Sequence, residues 1–221
     1  MPTLTERQPG TIAVLLALSP WAWERHAEDV TAAAIQEAFA ACGVVDGLVL
    51  APPDRSVAAS LRWGRAFHQP ISPDPDGPAL LGPLRMMLRH GDPSDIMLIH
   101  DAAWPLVTPE LIGAVREKAI EHGAAIAVGP VKETIKQVRD GLVVGTLARE
   151  SLAQVQWPAA LTHEAAKRVL AVAPGLPPDT PLTALLFAAG IYPAAVLGPP
   201  ENTGIRSAAD LAVAEALLAR R

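Results

Sequence analysis

Short apolar runs alternate along the chain with segments whose apolar residues recur at helical spacing. Thr11 to Leu18 (TIAVLLAL), Val44 to Ala51 (VVDGLVLA), Ile96 to Ile99 and Ala124 to Val128 (AAIAV) are the runs. Runs of this kind read as strands covered on both faces, as in parallel sheets between helix layers. Between the first two lies an alanine-rich segment with Val30, Ile35 and Phe39 at helical spacing; it meets Gly43, a helix stop. Asp54 caps a short expected helix reaching about Trp63, and 64–83, rich in Pro, Gly and Asp, reads as loop with room for a short strand. Leu84 to His90 reads as helix. Thr108 to His122 is amphipathic, with Thr108 as N-cap, Pro109 at the first helical position and Gly123 as the stop. The alternation predicts a doubly wound, mostly parallel α/β sheet.

The alternation breaks after Val128. Val131 to Gln137 and Leu142 to Leu147 flank Asp140-Gly141, the signal of a β-hairpin. A hairpin interrupting a parallel sheet is expected to project as an arm, here about 131–160. Its open edges need a partner, and a second copy of the chain is the simplest one. Helix 162–173, a proline-rich loop, helix 180–189, strand Ala194 to Leu197 and helix Ser207 to Ala219 complete the expectation. With no repeat and no linker, residues 1–221 read as a single domain, its first ten residues loose.

Composition narrows the function. Over 221 residues the net charge is −5, which argues against a nucleic-acid surface, since that needs a basic stripe. Arg220-Arg221 is the one basic cluster and reads as a solvated helix end. A single cysteine, Cys42, excludes an internal disulfide and reads as core. No run reaches membrane-spanning length and no basic-then-apolar leader opens the chain, so a cytoplasmic protein is expected, without membrane contact.

The strand Ile96 to Ile99 ends in His100-Asp101, followed by Ala102-Ala103-Trp104-Pro105. Asp101 therefore stands just past the carboxyl end of a central strand, where open α/β sheets bind ligands. A carboxylate there can equally cap the turn through nearby amides. The histidines, His100, His122 and His163 among them, show no metal-ligand spacing.

HDAAWP with PLVTPELI, then GPVKETIK, then TLARESLAQVQWP, then ENTGIRSAADLAVAEALL follow one another from about Asp95 to the C-terminus. Together they resemble the 2-C-methyl-D-erythritol 4-phosphate cytidylyltransferase family. The resemblance implies a nucleotidyltransferase sheet with a hairpin arm that builds a homodimer. It also implies a reaction in which CTP and a sugar-alcohol phosphate give a CDP-alcohol and pyrophosphate, assisted by Mg²⁺. Two anions must then be pressed together, so catalysis is positioning plus charge neutralisation. Residue by residue, Asp101 matches the family's metal- and nucleotide-binding aspartate, and Ala102 its small neighbour near the nucleotide. Thr134 and Arg149 match arm residues that face the substrate phosphate across the dimer, Arg149 with a catalytic role. Thr180 corresponds to another substrate-side threonine.

The departures are as specific. The family follows its first strand with a glycine-rich loop bearing an arginine and closing in Pro-Lys-Gln, whose amides and cations hold the triphosphate. Here Ser19-Pro20-Trp21-Ala22-Trp23 follows, with no glycine between Leu18 and Gly43 and no lysine before Lys118. Arg25 is the one nearby cation, either a helix-surface charge paired with Glu28 or Asp29 or a triphosphate ligand. The family's serine-bearing segment near the cytosine corresponds to Asp76–Leu84, which has no serine. Trp104 stands for an arginine and Trp157 for a threonine. Gly204 stands for a lysine and Arg206 for a threonine, so Arg206 can return a positive charge from a neighbouring position. Trp21, Trp104 and Trp157 border the implied pocket and either plug it or meet an apolar ligand or partner protein. Losing several preorganised cations predicts a fold kept with its chemistry lost or strongly impaired, acting in binding or regulation. The alternative is a working cytidylyltransferase using Asp101, Mg²⁺, Arg149 and Arg206; a third reading is transfer to a different alcohol or from a different nucleotide.

Overall fold

The computed structural model describes residues 10–16, 25–44, 46–51, 65–70, 78 and 80–221. The helix expected at 54–63, the 17–24 loop with Trp21, and most of 71–79 lie outside the described residues. Nine strands and six helices follow in the order β1 (Thr11–Leu16), α1 (Arg25–Ala41), β2 (Asp46–Ala51), β3 (Arg65–Pro70), α2 (Leu81–His90), β4 (Ile96–Asp101), α3 (Pro109–His122), β5 (Ala124–Pro130), β6 (Lys136–Arg139), β7 (Leu142–Thr146), β8 (Ala153–Thr162), α4 (His163–Val172), α5 (Leu182–Ala188), β9 (Ala194–Leu197) and α6 (Ala208–Leu218) among the described residues.

Seven strands form one sheet in the order β3-β2-β1-β4-β8-β5-β9. Neighbours β1 and β2, β2 and β3, β1 and β4, and β5 and β9 pair in parallel. Strand β8 runs antiparallel to both β4 and β5, so the sheet is mixed. Side-chain alternation divides the core into two layers. Ala13, Leu15 and Leu98 pack with Phe39, Ile112 and Val115 of α1 and α3. Val14, Met97 and Ile99 pack on the other face with Leu84, Val169 and Leu185 of α2, α4 and α5. That double cover explains why β1 and β4 read as unbroken apolar runs. The helix α3 starts as its sequence dictates: Thr108 Oγ1 accepts from Leu111 N at 3.3 Å with Pro109 in the first turn. It ends at Gly123, whose φ of +85° few side chains tolerate.

Two expectations need correction. The arm is shorter than 131–160, because Ala153–Thr162 is a central strand of the main sheet. Pro158 has no amide to donate to a ladder, which disguises the strand in sequence. The ladder absorbs it through a bulge: Ile126 pairs with Ala159 and Val128 with Val155, so Ala127 opposes Gln156 to Pro158. Residues 65–70, expected mainly as loop, form a full parallel strand with β2. What remains of the arm is the separate two-stranded β6–β7 sheet, turned by Asp140 (φ 51°) and Gly141 (φ 77°). Two positive φ values in a two-residue loop match the right-handed twist of a hairpin. No described helix is long and apolar enough to cross a membrane.

Candidate functional site

The end of β4 is built from two side chains with opposite roles. His100 is fully buried, and its Nε2 donates to Trp104 O at 2.9 Å. A carbonyl oxygen only accepts, so Nε2 carries the hydrogen. Burial drives the imidazole pKa down to about 4, so the ring is neutral and acts as a strut. Asp101 is partly buried. Its Oδ1 accepts from Ala103 N at 2.9 Å, and its carbonyl accepts from Trp104 N at 2.9 Å. Burial raises the carboxyl pKa, with the Ala103 amide pulling the other way. The turn-capping role and the ligand role open in the sequence therefore coexist: one oxygen caps the turn, and Oδ2 has no protein partner among the described residues.

The 101–104 turn is tied to a distant loop, since Ile205 N donates to Ala103 O at 2.7 Å. That bond seats the Trp104 indole on Gly204. A Cβ at 204 would lie 2.8 Å from Cε2 and 2.9 Å from Nε1 of the ring. The two departures from the resembling family at 104 and 204 are thus one packing arrangement: the indole fills the space a side chain at 204 would need. Gly204→Ala is expected to cost about 1–3 kcal/mol by overpacking. Adding Trp104→Ala should recover most of that loss, a coupling read from melting curves of the single and double variants.

Beside this pair lies a cavity of about 530 Å³, lined among others by Trp104, Lys132, Gln156, Asn202, Thr203 and Arg206. The volume suits a small-molecule site. Its buried floor is polar and neutral. Gln156, brought there by the β8 bulge, fits because Gly129 and Gly198 lack side chains; a Cβ on Gly129 would come within 2.6 Å of Nε2. Asn202 is 0% exposed; its Nδ2 donates to Trp157 O at 2.8 Å and lies 3.4 Å from Gln156 Oε1. The two cations, Lys132 and Arg206, are exposed, as is Glu133 in the same lining.

Of the residues singled out in the sequence, Trp104 and Arg206 line this cavity, while Asp101 and Ala102 are outside the lining, in the turn that Trp104 closes. Thr134 and Arg149 are exposed and outside the lining, Arg149 in a 3-10 turn after the arm. Thr180 is outside it as well, with its hydroxyl donating to Pro177 O at 2.7 Å. Trp157, on β8, is partly buried against the core and does not line the cavity. Lys132, Gln156 and Asn202 were not singled out as site residues, although they sit in the GPVKETIK, TLARESLAQVQWP and ENTGIRSAADLAVAEALL motifs. Among the described residues no three acidic, histidine or cysteine side chains gather as a metal cage. Magnesium usually binds through one or two carboxylates plus substrate phosphates. Asp101, with one free carboxylate oxygen in a desolvated setting, fits that mode and would hold the ion beside bound phosphates.

A family model described as 2-C-methyl-D-erythritol 4-phosphate cytidylyltransferase matches residues 86–220. The bifunctional enzyme IspD/IspF of Anaeromyxobacter dehalogenans is 33% identical over 185 residues, covering 81% of this chain and 48% of that protein. The 2-C-methyl-D-erythritol 4-phosphate cytidylyltransferase of Bacillus licheniformis is 36% identical over 154 residues, 69% of this chain and 66% of its own. The chain thus spans about half of the first relative and about two thirds of the second. The crystal structure of 2-C-methyl-D-erythritol 4-phosphate cytidylyltransferase from Thermus thermophilus superimposes with a TM-score of 0.72 at 26% identity, covering 95% of this chain and 99% of that one.

Proposed function

This chain belongs to the 2-C-methyl-D-erythritol 4-phosphate cytidylyltransferase family, and we propose on that premise that it transfers a cytidylyl group from CTP to a sugar-alcohol phosphate. An oxygen of the acceptor phosphate attacks the α-phosphorus, the α–β bridging bond breaks, and pyrophosphate leaves. The observation carrying this reading is a cavity bearing Lys132 and Arg206 and lined by Trp104, whose amide closes the turn that Asp101 opens at a central strand end. Magnesium on Asp101 would neutralise phosphate charge; Ala102 gives the nucleotide close approach to the backbone. Thr134, Arg149 and Thr180 act toward the acceptor from outside the cavity, the first two from a partner subunit.

This reading has more support than the loss of chemistry expected from the departures. The relatives carry the transferase name, and Lys132 and Arg206 offset part of the missing charge. The altered 17–24 loop lies outside the described residues, as does the Arg25 side chain. One observation favours the second reading, a binding or regulatory protein: the Trp104 indole packs on Gly204, at the two positions where the resemblance implies an arginine and a lysine. The deciding assay is pyrophosphate release from CTP with 2-C-methyl-D-erythritol 4-phosphate and Mg²⁺. Turnover within the ordinary enzyme range of roughly 1–10³ per second supports transfer. No release at saturating substrates moves the assignment to the second reading.

A homodimer through the β6–β7 arm belongs to the same proposal. Val138, Leu142 and Val143 are 64%, 69% and 67% exposed, an apolar surface on a bare two-stranded sheet. Leu142→Lys with Val143→Lys is expected to convert a dimer to a folded monomer in sedimentation at micromolar concentration. A monomeric unmodified chain, or a dimer indifferent to both lysines, refutes the arm's role.

A further inference from the structure

We propose that Arg221 is a positioning residue: by gripping the carbonyls of Leu106 and Val107 it clamps α6 onto the loop between Asp101 and α3, and so sets where Asp101 stands relative to Arg206. The clamp rests on its contacts; its service to the reaction rests on the transferase reading. The sequence marks Arg220-Arg221 as a solvated helix end, and for Arg221 the structure corrects this. The residue is exposed, yet its Nη2 donates to Leu106 O at 2.7 Å and its Nη1 to Val107 O at 3.3 Å. Leu106 and Val107 are fully buried, and a buried carbonyl needs a donor. A planar guanidinium can serve two successive carbonyls at once, whereas an ammonium is a point charge without that fork. The chain reaches this place because the last turn of α6 runs on: Arg220 N donates to Leu217 O at 3.2 Å and Arg221 N to Leu218 O at 3.1 Å.

A second grip lies at the other end of the same segment, where Ile205 N donates to Ala103 O at 2.7 Å. Between the two, Leu106 packs with Ile205, Leu211 and Ala214, and Leu217 and Leu218 close on the same cluster. The loop is therefore held at Ala103 and again at Leu106 and Val107 by residues 205–221, while His100 holds the Trp104 carbonyl from within. The approach to α6 also lines the cavity, through Asn202, Thr203 and Arg206. Arg206 is fixed to the first turn of the helix: its amide donates to Asp210 Oδ2 at 2.9 Å, and the same oxygen accepts from Ser207 Oγ at 2.9 Å. A slip of α6 along the loop thus moves Arg206 and the Asp101 turn relative to each other. A misplacement of about 1 Å caused far from the chemistry can cost on the order of 10²-fold in rate. The rival account gives Arg221 only a charge to set against Glu110, which lies within its Coulombic reach.

Two readouts on the whole chain test this. The first is fluorine NMR of the fluorotryptophan-labelled protein, with the Trp104 resonance identified by its loss in Trp104→Leu. Arg221→Ala is expected to move that resonance, because the indole rests on Gly204 beside the Ile205–Ala103 bond. The second is pyrophosphate release from CTP with 2-C-methyl-D-erythritol 4-phosphate and Mg²⁺. There Arg221→Ala should lower kcat about tenfold and change either KM by less than about threefold, since the cavity keeps its lining groups while the reacting geometry is disturbed. Arg221→Lys keeps the charge toward Glu110 but not the fork, so most of the kcat loss should remain. If Arg221→Ala does not fold, Arg221→Lys carries both readouts, with a moved resonance and a lowered kcat expected. An unmoved resonance, an unchanged kcat, a loss confined to KM, or full recovery with lysine overturns the proposal. If even the unmodified chain releases no pyrophosphate, the transferase reading fails alone, and the resonance decides the clamp: moved upholds it, unmoved overturns it.

Discussion

Asp101→Asn is expected to lower pyrophosphate release by about a hundredfold or more while leaving the chain folded and no less stable at pH 7. The contact that Asp101 makes with the fold is its Oδ1 accepting from Ala103 N at 2.9 Å, and an amide oxygen can accept the same bond. What the variant removes is charge, and with it the place for a metal beside the phosphates. Loss of one preorganised electrostatic group typically costs about 10²–10³ in rate. The stability side follows from linkage. Burial raises the folded pKa of Asp101, so the folded chain binds that proton more tightly than the unfolded chain. Stability is then gained as pH falls through the raised pKa and is diminished at neutral pH, where the carboxylate is ionised in a desolvated place. Asparagine removes that burden. Pyrophosphate assays paired with melting curves check both halves. Undiminished release in the asparagine variant would strip Asp101 of its assigned role, whatever the melting curve shows.

The features legible in the sequence were those set by local rules. Ile96 to Ile99 announced β4 because a strand between two helix layers has no polar face to show. Thr108, Pro109 and Gly123 fixed α3 because caps are matters of a few neighbouring residues. Asp140-Gly141 marked the hairpin turn for the same reason. Strand β8 escaped because its Pro158 looks like a breaker until the bulge opposite Ala127 is known, and that accommodation belongs to a partner strand. The site divides in the same way. Asp101 was readable from its place at a strand end. Asn202 and Gln156 were not, since their value lies in a contact between residues 46 positions apart. The departures at 104 and 204 could each be seen singly, but only the Ile205–Ala103 bond makes them one arrangement. The reading of lost chemistry came from counting cations along the chain, and it left out Lys132, which the fold delivers to the cavity.

Acid should destabilise the chain through His100, by on the order of 3 kcal/mol between neutral pH and about pH 4. Its folded pKa of about 4 lies below the ordinary 6.5, so the unfolded chain takes up the proton first as pH falls. The difference, about 2.5 units at roughly 1.36 kcal/mol each, sets the magnitude. This stability is fully present above pH 6.5 and is lost progressively down to the folded value. The surroundings explain the resistance to charge. The Phe39 ring stands 5.5 Å away, and Nδ1 is buried with no partner, so a proton placed there would have no acceptor. The Nε2 bond to Trp104 O survives protonation, which makes desolvation the dominant cost. Glu110, Glu121 and Asp210 have lowered pKa values, so the stability they contribute is lost only as pH falls through and below the ordinary carboxylate range. Asp101 works in the opposite sense, and Asp101→Asn removes it from the measurement. In that background, denaturant titrations at pH 7, 5.5 and 4.5 should show a steady fall. His100→Gln keeps a donor near the Trp104 carbonyl but does not titrate, so its fall over the same window should be much smaller. Equal slopes in the two chains would mean that His100 is charged or solvated at neutral pH, and the strut holding the Asp101 turn would then need another explanation.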